Sequence, residues 1–184
     1  TTGNQNTIVG RNAGVNSNGS QNTLLGHNVA AATTTGAANT LLGHQAAWGN
    51  TTGTNNTCVG AGAGYNNGAG ANNTFIGYSA GNTAVGLTNA AAIGYHAQVS
   101  TSNSMVLGGT GVNAVNVGIG TTAPQSELEV NGFTMLGSDA PAIKMKKLTG
   151  TTAATDGGFS SVAHGLTMSK ILSVSVLVES SVGN

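Results

Sequence analysis

A five-residue phrase returns along the first half of this chain at almost constant spacing, and that recurrence limits the fold more than any other feature. Asn6-Thr7-Ile8-Val9-Gly10 is followed by Asn22-Thr23-Leu24-Leu25-Gly26, Asn39-Thr40-Leu41-Leu42-Gly43, Asn56-Thr57-Cys58-Val59-Gly60 and Asn73-Thr74-Phe75-Ile76-Gly77, with a degraded copy at Ala90-Ala91-Ala92-Ile93-Gly94. The closing glycines are separated by steps of 16, 17, 17, 17 and 17 residues, and Gly3, Gly19, Gly36, Gly53 and Gly70 precede the five clear copies in the same register. A unit of this length is too short for a pair of helices, and Asn, Thr and Gly are poor helix formers. It suits two short strands joined by glycine-assisted turns, one coil of a solenoid. The expected fold is all-β, a parallel β-roll or β-solenoid over residues 1–112, then a connector at 113–132 and a C-terminal antiparallel β domain at 133–184 that is incomplete.

The composition follows from stacking. Coils of a solenoid lie about 4.8 Å apart, so a carboxylate repeated at one position would set like charges in a close column, whereas Asn and Thr can hydrogen-bond along it. Residues 1–126 hold no Asp, Glu or Lys and a single Arg, Arg11, while the five carboxylates and four lysines all lie in the last 58 residues. With zero formal net charge and no Lys/Arg cluster in the repeats, a nucleic-acid partner is not expected. No run reaches the ~18 apolar residues of a membrane span, so membrane insertion is not expected either. Cys58 is the only cysteine, which excludes an intrachain disulfide.

The two residues before each closing glycine are both apolar in most copies. Neighbours on a strand face opposite ways, so one column fills the coil and the other needs a cover from outside. The repeat core is therefore read as Ile8, Val9, Leu24, Leu25, Leu41, Leu42, Cys58, Val59, Phe75 and Ile76. The cover expected is further copies of the same chain, which makes the protein an obligate oligomer.

The Asn-Thr-x-x-Gly coils resemble those of trimeric bacteriophage tail fibres and related bacterial surface proteins, and are similar to the β-roll heads of trimeric autotransporter adhesins. Asn116-Val117-Gly118-Ile119-Gly120-Thr121-Thr122-Ala123-Pro124, continued by Glu127-Leu128-Glu129-Val130-Asn131-Gly132, resembles the neck joining such shafts to a C-terminal domain. The resemblance covers residues 1–132. It implies a homotrimer, on a virion or extracellular, that serves attachment alongside other fibre or baseplate proteins and meets a host glycan or protein. The adhesin heads favour a Ser-x-Ala-Ile-Gly style that only the sixth copy approaches, and no Ser-Lys autocleavage arrangement follows residue 132. Ser169–Val178 alternates as a strand and resembles the start of a β-sandwich tip.

Candidate sites are few. The position after the closing glycine carries Arg11, His27, His44, Ala61, Tyr78 and Tyr95, a stripe with a gap at Ala61. Aromatic stripes stack on sugars and histidine columns hold metals or anions; the same residues also serve as edge caps or interface packing. Two histidines fall short of the four ligands of a closed tetrahedral site, though threefold symmetry would bring six, and no metal or cofactor is assigned. Trp48 lies in a turn, as a glycan contact or an edge plug. Lys144, Lys146 and Lys147 alternate with Ile143, Met145 and Leu148, a basic strand edge that faces anionic polysaccharide or discourages stray strand pairing. Cys58 sits in the interior column as a small hydrophobe. The glycine runs at 60–64 and 118–120 lack the strand-to-helix setting of a phosphate loop, and His164 near Asp156 and Ser160 has no supporting geometry for a triad.

No catalytic residue is assigned. Glycosidases need paired carboxylates, and the repeats have none. The leading expectation is thus a structural attachment fibre of a phage or similar particle, located on the virion or extracellularly. A bacterial cell-surface trimeric adhesin is its nearest alternative. An ice-binding solenoid, suggested by the Thr7, Thr23, Thr40, Thr57 and Thr74 column, and a polysaccharide-degrading one rank lower.

Overall fold

The structure, a computed structural model, describes residues 3–131 and the backbone of a strand pair at 134–135 and 142–143. The chain divides into two compact units, Thr1–Asn131 and Gly132–Asn184.

The first unit is a parallel β-solenoid. Each repeat phrase forms one three-residue strand: β1 (Thr7–Val9), β2 (Thr23–Leu25), β3 (Thr40–Leu42), β4 (Thr57–Val59) and β5 (Thr74–Ile76), then β7 (Ala91–Ile93) and β9 (Met105–Leu107). They pair in parallel and in sequence order as one seven-stranded sheet, each residue opposite its equivalent, as in Thr40↔Thr57, Leu41↔Cys58 and Leu42↔Val59. Strand β9 belongs to a further coil absent from the sequence reading. Its Met105-Val106-Leu107-Gly108 keeps the apolar-apolar-glycine ending but lacks Asn and Thr, and its step from Gly94 shrinks to 14 residues.

The coils differ from the expected two-strand form. Within the coils, β6 (Gly81–Asn82) and β8 (Gln98–Val99) form a second parallel pair and Ala71 bridges Thr88; elsewhere the described coil is turn, bend and irregular backbone. The cause lies in the backbone. Two residues past the closing glycine the chain enters the left-handed region at Asn12, Asn28, Gln45, Gly62, Ser79 and His96, and it does so again at Gly14, Ala30, Ala47 and Gly64. Extended geometry is interrupted, yet coil-to-coil hydrogen bonding continues, for example Ala47 N–H to Ala63 O at 2.8 Å and Gly64 N–H to Ala80 O at 2.8 Å.

Glycine closes each phrase because two coils meet there backbone to backbone. Gly10, Gly26, Gly43, Gly60, Gly77 and Gly94 have φ between 123° and 144°, and a Cβ on Gly43 would run into the carbonyl oxygen of Gly60. The asparagine that opens the phrase is buried from Asn22 to Asn73 and stitches three coils. The Oδ1 of Asn39 accepts the backbone N–H of Asn56 at 2.9 Å, and its Nδ2 donates to Gly53 O at 2.9 Å and to Asn22 Oδ1 at 3.1 Å. The ladder runs from Asn6 to the N–H of Ala90, where the phrase loses its asparagine. Stacked amides thus satisfy buried backbone groups that would otherwise be orphaned at each turn.

Inside, Leu24, Leu41, Cys58, Phe75 and Ala92 form one fully buried column, facing Val29, Ala46, Ala63, Ala80 and Ala97. The register sets the small Cys58 and Ala92 on either side of Phe75, so a large ring fits between two short neighbours, as dense packing requires.

After a single 3-10 turn at Gly111–Asn113, a separate parallel pair follows, β10 (Val117–Ile119) with β11 (Leu128–Val130). Side chains brace its link: Asn116 Nδ2 donates to Pro124 O at 3.0 Å, Asn131 Nδ2 to Gly120 O at 3.1 Å, and the Gln125 N–H to Glu129 Oε2 at 2.7 Å. In the second unit, β12 (Thr134–Met135) and β13 (Ala142–Ile143) pair antiparallel. Lys144, Lys146, Lys147 and the Ser169–Val178 strand lie outside the described residues. Among the described residues no helix is long and apolar enough to cross a membrane.

Candidate binding surfaces of the solenoid

The strand pattern out-in-out sorts the ten expected core residues into two groups. Leu24, Leu41, Cys58 and Phe75 are buried, and Ile8, at the first coil, is half-buried against them. Val9, Leu25, Leu42 and Ile76 are the column that faces out of the coil: with Leu107 they leave 39–56% of their surface exposed. Val59 and Ile93, intermediate in burial, complete the same column. The alternation of side chains along a strand forces this outcome, since a coil has one inside only. The result is an unbroken apolar stripe, one residue per coil, along the outer face of the seven-stranded sheet.

Next to it runs the column after the closing glycine. Its rings stack in two groups: His27 on His44, with centroids 5.3 Å apart, and Tyr78 on Tyr95, 5.6 Å apart. His96 adds an edge-on contact to both tyrosines, 4.4 Å from Tyr95. Between the groups Ala61 carries no ring. Trp48 proves to be half of a second stack, lying 5.2 Å from Tyr65 with planes 10° apart. Tyr65 and His96 were missed from sequence, although Tyr65 follows its closing glycine by the same five residues as Trp48.

The gap at Ala61 opens into a groove of about 410 Å³. His44 and Gln45 bound it on one side, Tyr78 and Ser79 on the other, with Gly62 and Tyr65 between. Asn66, Asn82 and Gln98 also line it. The Asn82 side chain is buried and its Nδ2 donates to Asn66 O and Ala84 O, but its Oδ1 has no hydrogen-bond partner among the described residues. A second groove, of about 350 Å³, lies where the threonine column ends, with Thr74, Ala91 and Met105 in its wall.

The threonine column is exposed at Thr7, Thr23 and Thr40 and half-buried at Thr57 and Thr74. The asparagine column beside it points inward, leaving one threonine rank rather than two. The Cys58 thiol is buried, and burial pushes its pKa from 9.0 up to about 12, because an apolar interior disfavours the thiolate. Among the described residues no group of three or more His, Cys, Asp or Glu side chains gathers in a metal-holding arrangement. Comparison with protein-family models, curated proteins and solved structures finds no match.

Proposed function

We propose that the chain is a shaft-and-connector segment of a homotrimeric fibre, of a phage tail or similar particle, that attaches to a host cell surface. The observation that carries this reading is the exposed stripe of Val9, Leu25, Leu42, Val59, Ile76, Ile93 and Leu107. Contiguous exposed apolar surface marks an interaction site, and covering a half-exposed aliphatic side chain contributes about 1 kcal/mol. Whatever covers this stripe must present apolar groups at the coil spacing over seven successive steps. Another copy of the chain has that period by construction. A charged partner would find no complementary charges, since Arg11 is the only charged residue in the repeats. Three copies around a threefold axis satisfy each stripe with the same residues of its neighbours.

In this assembly the chain acts without catalysis. The connector Val117–Val130 leads from the shaft to the second unit, which the fibre would present to the host. A bacterial cell-surface trimeric adhesin uses the same architecture and remains the second reading.

Light scattering on the purified chain, with and without hot detergent, tests the proposal. A trimer that survives detergent supports it. A soluble monomer overturns it and makes the apolar stripe a binding face for something else.

A further inference from the structure

We propose that the notch at Ala61 is a binding site for one neutral sugar ring, held between His44 and Tyr78. The inference rests on the attachment reading and names a ligand class for it. Rings occupy the column after the closing glycine on both sides of the notch, and each stacks on its neighbour at one coil step: His27 on His44 and Tyr78 on Tyr95. At Ala61 the column skips one ring, so His44 and Tyr78 stand two coil steps apart, about 10 Å at the strand spacing. A ring placed midway lies about 5 Å from each, within the range of stacked ring pairs. The protein's own ladder therefore leaves a slot one ring thick.

The chemistry of the slot selects the ring. Beside the rings of His44, Tyr65 and Tyr78, its lining includes Gln45, Asn66, Ser79 and Gln98, the last of which donates from its Nε2 to Ser79 O at 2.7 Å. Amides both donate and accept, as sugar hydroxyls do. No Asp, Glu, Lys or Arg lines the groove, so an anionic sugar would leave water without a compensating charge. Asn82, also in the lining, is held from behind by its Nδ2 bonds to Asn66 O and Ala84 O, which fixes that side of the groove. The groove volume of about 410 Å³ is in the range of small-ligand sites and admits one hexose with part of a neighbour. Tyr65, inside the groove, supplies a third ring surface at the side.

Saturation-transfer NMR on the full chain tests this with three neutral probes, maltopentaose, mannopentaose and a β-1,4-galactotetraose, and one anionic probe, a sialic acid tetramer. Transfer to the ring protons of at least one neutral probe is expected, at least tenfold weaker in Tyr78→Ala. It should vanish in Ala61→Tyr, which continues the native stack and fills the slot; circular dichroism and the melting midpoint of that variant should match the parent. Absence of transfer to all three neutral probes overturns the proposal, as does transfer to the anionic probe alone or undiminished transfer in Ala61→Tyr. Oligomeric mass, read on the same samples, separates this outcome from the fate of the fibre reading: a trimer with no sugar signal removes the notch and leaves the fibre, while a monomer that binds sugar removes the fibre and keeps the notch.

Discussion

The buried asparagine is the residue on which the coil depends. In Asn56→Ala the N–H of Asn73 loses the acceptor it meets at 3.0 Å, and Gly70 O loses the donor it meets at 2.8 Å. Gly70 O keeps the Asn67 Nδ2 donor at 3.1 Å, so the Asn73 N–H is the buried group left unpaired, and a loss of about 1–3 kcal/mol is expected in urea denaturation. Ala38 gives the opposite sign. It is exposed, with φ 56°, in a column where Asn55, Asn72, Asn89 and Asn103 take the same left-handed geometry. Asparagine tolerates that geometry better than alanine, and Ala38→Asn should raise stability by about 0.5–1 kcal/mol. Cys58 ties stability to pH. Its folded pKa is raised, so the folded chain keeps a proton that the unfolded chain releases above pH 9. Its contribution is complete below pH 9 and falls as pH rises toward 12, by up to about 1.4 kcal/mol per pH unit. Denaturation at pH 8 and pH 10, compared with Cys58→Ala, isolates this effect, and a thiol reagent should label the parent only when unfolded.

At the scale of the coil, the closing glycine and the strand act together. Gly43→Ala places a Cβ against Gly60 O at a φ of 138°; neither backbone can retreat, because the next coil repeats the same contact. Circular dichroism melts should fall by several degrees, with a cost of about 2–4 kcal/mol. The repeat made the coil legible in advance: the Asn-Thr-x-x-Gly phrase located five strands, and Ala90–Gly94 a sixth. The turns that replace the expected second strand were not legible, because their left-handed positions are filled by alanine, glutamine, serine and histidine more often than by glycine. Ala30 and Ala47 carry no turn signature at all. The last coil escaped notice for a related reason: Ser104–Gly108 keeps the apolar pair but has none of the polar partners that mark the phrase, and its step is shorter.

For the whole molecule, the apolar stripe is the decisive surface. Leu25→Ser, Leu42→Ser and Ile76→Ser combined should leave the coil intact by circular dichroism, since all three point away from the interior, and yield monomers in light scattering. Doubly apolar strands revealed from sequence that two columns existed, and that one would need a cover. Which residues formed each column depended on the strand's first residue facing outward, and that became visible only with the coil closed. The sugar slot was half legible: the gap at Ala61 shows in the repeat alignment, but Tyr65 reaches it from a turn, and Asn82 and Gln98 from the short strands β6 and β8, which carry no sequence mark.

The single charge among the repeats has one more consequence. Ionic atmospheres act on a protein through its charges, over roughly 8 Å at physiological salt, and the repeats offer them only Arg11. Their stacking rests on amide ladders and close packing, neither of which Debye screening reaches. A solenoid of this kind keeps its amide ladders intact at low and at high ionic strength alike.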